Sequence, residues 1–150
     1  EKRENESMEK NIKKEIQEAI LAAEKTLEYL TIAEGELKSA KNWGFFDMAG
    51  GGFVTTMFKR GKMDHAETAL TNARDSMKNL RKELADVDEV VGIDLEIDGF
   101  ISFADFFFDN VFVDWMVQSK INIALAQVRE GIRTLEEVRR ELVGIEEDID

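Results

Sequence analysis

The chain has 150 residues, 43% of them hydrophobic, which makes one domain of ordinary size with enough apolar material to bury a core without disulfides or metals. It contains no cysteine, which excludes thiol redox chemistry and thiolate metal sites. A formal net charge of −12 disfavours nucleic acid and anionic membrane surfaces as partners and favours basic proteins or cations.

Three heptad-patterned rods organise the sequence. In the first, Ile12, Ile16, Ala19, Ala23, Leu30, Ala33, Leu37 and Ala40 follow alternating steps of three and four, with Thr26 or Leu27 filling the gap before Leu30. This spacing predicts a long helix with a coiled-coil-like seam. The junction that follows, Trp43 to Lys62, predicts a break: Gly44 can end the helix in a left-handed conformation, and Gly50, Gly51 and Gly52 permit a sharp reversal. These glycines, followed by Thr55, Thr56, Lys59, Arg60 and Lys62, also admit an anion cradle, but neither the P-loop pattern nor the dinucleotide fingerprint is present. Lys59, Arg60 and Lys62 form a basic island in an acidic chain, read either as a solvated turn or as part of a docking patch.

The second rod keeps a strict four-three alternation through Ala66, Leu70, Ala73, Met77, Leu80, Leu84 and Val87, with Asp64 and Glu67 as its start signal. After it, Ile93, Leu95 and Ile97 alternate with Asp94, Glu96 and Asp98, the period of a half-buried strand near 93–98. The same letters admit a second reading. Asp94, Glu96, Asp98, Gly99, Ile101 and Asp105 occupy positions one, three, five, six, eight and twelve of a calcium loop, and this stretch resembles the EF-hand family. Leu95 and Ile97 are apolar where that loop is polar, and Asp105 stands where it has a bidentate Glu. Calcium, through Asp94, Glu96, Asp98 and Asp105, is therefore the alternative to a chain that needs no cofactor.

From Phe103 onward the apolar residues leave a single helical face, and Phe106, Phe107, Phe108, Phe112 and Trp115 would surround a continuous helix. Such a segment is either an end plug of the core or a contact surface for a homo-oligomer or a protein partner. All aromatic residues except Tyr29 fall within 43–58 or 100–115, so two bulky caps alternate with thin rods. The second cap echoes the first, with Phe45-Phe46-Asp47 recurring as Phe107-Phe108-Asp109. The third rod uses Ile121, Leu125, Val128, Ile132, Leu135, Val138 and Leu142 before an acidic tail. Residues 1–7 and 145–150 are polar and expected to fray.

The fold expected for residues 1–150 is therefore a single all-α domain. It is an elongated three-helix antiparallel bundle with two aromatic and glycine caps and a short β element, and the absence of proline agrees with long helices. Catalysis has little support: His65 is the only histidine, no nucleophile motif occurs, and a di-iron bundle would need Glu-x-x-His on two helices. No apolar run approaches the roughly 20 residues that span a bilayer and no signal-peptide pattern is present, so neither a membrane nor a location outside the cytoplasm is expected.

Trp43-Gly-Phe-Phe-Asp47 with Gly50-Gly51-Gly52, then Lys59, Lys62, Met63, Asp64 and Ala66, resembles a family of small Firmicutes helical proteins. Asp105-Phe-Phe-Phe-Asp109 and Asp114-Trp-Met-Val-Gln-Ser-Lys-Ile121 extend the resemblance. Some members are labelled negative effectors of extracytoplasmic-function sigma factors. The resemblance implies a non-enzymatic regulatory protein, and an acidic helical surface suits the masking of a basic one.

Overall fold

A computed structural model of the protein describes the backbone of residues 2–48, 53–91, 95–106 and 121–149, and the side chains of 2–42, 64–91, 99–105 and 121–149. The described residues form four helices and no strand: α1 (Lys2–Met48), α2 (Phe53–Val91), α3 (Leu95–Phe106) and α4 (Ile121–Ile149). The three rods expected from the heptads are α1, α2 and α4, and α3 is a further helix that the three-helix expectation lacked.

α1 is the shared element, packing on both α2 and α4, while α3 packs on α4 and α2. At 47 residues it is about 70 Å long, and the 39 residues of α2 span about 58 Å. Cross-contacts fix the directions. On the α2 side, Glu36 meets His65 and Thr26 meets Ser76, and on the α4 side Glu34 meets Arg129 and Glu24 meets Arg139, so both neighbours run antiparallel to α1.

The seam is the one the periodicity predicts. Ile16, Ala19, Ala23, Leu30, Ala33, Leu37 and Ala40 of α1 are fully buried, as are Ala66, Leu70, Ala73, Met77, Leu80, Leu84 and Val87 of α2. Thr26, rather than Leu27, completes the stripe at zero exposure. Its hydroxyl donates to the Ala22 carbonyl at 2.8 Å and lies 2.7 Å from Ser76 Oγ. A hydroxyl carries one proton, so Ser76 must be the donor across the seam. This bond is satisfied only at one alignment of α1 on α2, which makes it a register pin in the manner of a buried polar pair in a coiled coil.

Two expected boundaries and one expected element are corrected. α1 does not stop at Gly44 but continues to Met48, and α2 begins at Phe53 rather than Asp64. Gly44 lowers helix propensity by about 1 kcal/mol, too little to end a helix that is otherwise sustained, and the signal at Asp64–Glu67 is local and can sit within a helix. The β element near 93–98 is replaced by helix from Leu95 onward, with Ile93 and Asp94 outside the described residues. Ile97, Phe100, Ile101 and Ala104 are spaced i, i+3, i+4 and i+7, and this helical stripe prevails over the three-letter alternation. Phe100 and Ala104 are fully buried on it.

α3 approaches α4 at a glycine. A Cβ on Gly131 would lie 2.7 Å from Phe103 Cζ, 2.9 Å from Cε1 and 3.4 Å from Leu30 Cδ1, so the Phe103 ring fills the space that any other residue would need. Gly131→Ala is expected to destabilise the protein by about 1–2 kcal/mol, the overpacking cost less the gain in helix propensity. In a Phe103→Ala background the same change should be neutral or stabilising. Urea denaturation of the four proteins in this cycle checks both; equal effects in the two backgrounds would remove the notch.

Candidate functional site

Among the described residues, three acidic side chains stand close enough to act together: Glu15 of α1 with Glu83 and Asp86 of α2, whose carboxylate oxygens lie within 4.8 Å of one another. They flank the seam, Glu15 beside buried Ile16 and the other two beside buried Leu84 and Val87. The antiparallel register that sets Thr26 against Ser76 brings them to one level. Such flanking positions usually carry opposite charges across a helix pair, and here they carry the same sign.

The electrostatic result falls on Glu83, whose pKa is raised above the ordinary carboxylate value. Burial is the largest cause, followed by the charges of Glu18, Asp86 and Glu15, and Lys82 acts in the opposite direction. Glu18 is itself 3.9 Å from Lys14. Glu15 Oε2 is shielded from solvent and has no hydrogen-bond partner. Carboxylates so placed can share a proton or accept a cation.

The α1–α4 side is arranged differently. Glu34 accepts from Arg129 Nε at 3.1 Å, and Glu24 accepts from Arg139 Nε at 3.2 Å. Arg129 and Ile132 also line an open groove of about 600 Å³ between these helices. A smaller cleft of about 320 Å³ lies over the register pin, lined by Tyr29, Asn72, Asp75 and Ser76 among others.

The residues singled out in the sequence are not gathered into one described site. Phe106 is the last residue of α3, and Lys59, Arg60 and Lys62 belong to α2, but their side chains lie outside the described set. Phe107, Phe108, Phe112 and Trp115 lie outside the described residues altogether, as does Asp94. Glu96 and Asp98 sit on the helical backbone of α3, two positions apart, and a helix turns about 200° over two residues where a calcium loop wraps its ligands inward. Asp105 holds Arg81, Oδ1 to Nη1 at 2.5 Å.

No family model, curated protein or solved structure matches this chain. The site therefore rests on its own geometry. Glu15, Glu83 and Asp86 were not visible to sequence reasoning. Each is one more acid in an acidic chain, and only the pairing of α1 with α2 brings them together. The available signal was weak, namely two i,i+3 acid pairs, Glu15 with Glu18 and Glu83 with Asp86, on rods destined to pair.

The raised pKa of Glu83 has a definite sign in stability. The folded state binds its proton more tightly than the unfolded chain, so the contribution is full below the ordinary value of 4.5 and is lost as pH rises through the elevated folded value. Glu83→Gln is expected to melt a few degrees higher than wild type at neutral pH, with the advantage shrinking as the pH is lowered toward 4.5. Melting curves across that range check it. An advantage that does not change with pH would mean that the cluster carries no electrostatic strain.

Proposed function

We propose that the chain is a non-enzymatic regulatory module that acts by binding another protein, with Phe106, Phe107, Phe108, Phe112 and Trp115 as its main contact residues and Lys59, Arg60 and Lys62 as a basic contribution to binding. The observation that carries this reading is the composition of the core. Among the described residues, the buried α1–α2–α4 seam is built almost entirely of Ala, Leu, Ile, Val and Met, and Phe100 is the only aromatic residue that is fully buried. Large aromatic side chains are the residues that most often anchor protein interfaces.

The resemblance to negative effectors of extracytoplasmic-function sigma factors supplies the partner class, and the net charge of −12 suits a basic target surface. No helix among the described residues is long and apolar enough to cross a membrane, which agrees with a protein partner rather than an embedded role. A cytoplasmic site of action belongs to the same proposal. Self-association through the same segment would use the same surface.

The alternative, a divalent-cation response through Asp94, Glu96, Asp98 and Asp105, is less favoured because residues 95–106 are helical and Asp105 is engaged with Arg81. A ligand at one hundred times its dissociation constant adds about 2.7 kcal/mol to stability, a shift readily seen in a melt. After stripping with EDTA, millimolar calcium and magnesium are expected to move the midpoint equally; a calcium-selective rise would reinstate the loop.

Trp115→Asp is expected to abolish co-elution with a cognate sigma factor, or self-association, on size exclusion while leaving the far-ultraviolet circular dichroism unchanged. Loss of helical signal in this variant would place Trp115 in the core and sink the reading.

A further inference from the structure

α2 and α4 each pack on α1, and α3 packs on both of them. α3 is the least self-sufficient of the four helices. Its 12 residues are fewer than an isolated helix needs in water, and Gly99 within it lowers its propensity further. Its described side chains bury only Phe100 and Ala104 completely, whereas α1, α2 and α4 share the long seam. Ile101 is packed part-buried against the same core, and two further contacts are seen among the described side chains. The Phe103 ring sits at the Gly131 notch of α4, and Asp105 pairs with Arg81 of α2 through side chains that are each nearly half exposed.

We infer that α3 is a strap that opens on its own, and that the slot it leaves between α2 and α4 accepts an amphipathic helix from a partner protein. The occupant is defined by what the slot already holds. It is a helix with a large apolar residue at the Phe100 position, an aromatic at the Phe103 position opposite Gly131, a small residue at the Ala104 position, and a carboxylate next to it that reaches Arg81. α3 is then the resident competitor of its own binding site. This extends the reading of the chain as an interaction module to a second surface, and loss of binding through Trp115 would leave it untouched.

Regions that open separately exchange their amides faster than the global core. Hydrogen exchange on the full chain is expected to show residues 95–106 exchanging at least ten-fold faster than the seam residues of α1. Asp105→Ala should speed α3 several-fold further and leave α1 and α4 unchanged. The side chain of Asp105 is about half exposed, so this variant retains the fold. A fluorescently labelled peptide of residues 95–106 should bind full-length Asp105→Ala several-fold more tightly than wild type, because its competitor is weakened. Exchange of α3 in step with α1, an Asp105→Ala effect that is absent or spread over all helices, or equal or absent peptide binding to the two proteins would each overturn the inference.

Discussion

The rest of the structure depends on a single constraint: α1 must pack against two antiparallel neighbours along much of its length. A helix that serves two partners cannot do so with one narrow stripe of large side chains. Its buried face widens to include Ile16, Ala19, Ile20, Ala22, Ala23, Thr26, Leu30, Ala33, Leu37 and Ala40. Alanine at so many of these positions lets the backbones approach, and the approach is what brings the Thr26 and Ser76 hydroxyls within 2.7 Å. The same choice limits the energy of the seam. A buried Phe or Leu stabilises by about 1.5–3 kcal/mol and an alanine by far less. Stability therefore concentrates at the leucines, Met77 and Phe100, and specificity of alignment falls to the polar pair.

Charge distinguishes the two sides of α1. Toward α4 the flanking residues alternate in sign across the interface, Glu34 with Arg129 and Glu24 with Arg139. These pairs are part-exposed, so each is worth at most about 1 kcal/mol, but together they disfavour a slipped register. Toward α2, Glu36 faces His65 on one side of the register pin, while on the other Glu15, Glu83 and Asp86 oppose one another. The α1–α2 contact thus carries its electrostatic penalty beyond the register pin, on the side leading to the end of α2 from which the chain passes into α3. The hydrophobic seam prevails there, since Leu84 and Val87 remain fully buried beside the acids.

Periodicity made the shaft legible. Burial along a helix pair repeats with the helical turn, and so every fully buried α2 seam residue from Ala66 to Val87 could be read from spacing alone. What could not be read depended on partners. Glycine and capping signals at Gly44 and Asp64 are worth a kilocalorie or so each, and tertiary packing decides whether they act. The segment around Leu95 satisfied two periods at once, and the helical one won because Phe100 and Ala104 find a place to bury. Gly131 interrupts an otherwise regular rod, which is a signal in itself, but its meaning required Phe103, 28 positions earlier in the chain, to arrive against it. The acidic cluster is the extreme case, since no single residue of it looks unusual until the antiparallel register is known.

The two binding surfaces proposed for this chain meet at one residue. Phe106 ends α3 and begins the aromatic segment, and it follows directly on Asp105, whose carboxylate holds Arg81. A partner that draws Phe106 and Phe107 onto its own surface therefore acts on the turn that fastens α3 to α2. That turn carries the part-exposed Asp105–Arg81 ion pair and, two residues earlier, the Phe103 contact at Gly131. Binding at the segment and opening of the slot would then be coupled through the covalent chain. By linkage, a helix that occupies the slot would in turn change the affinity of the segment for its target.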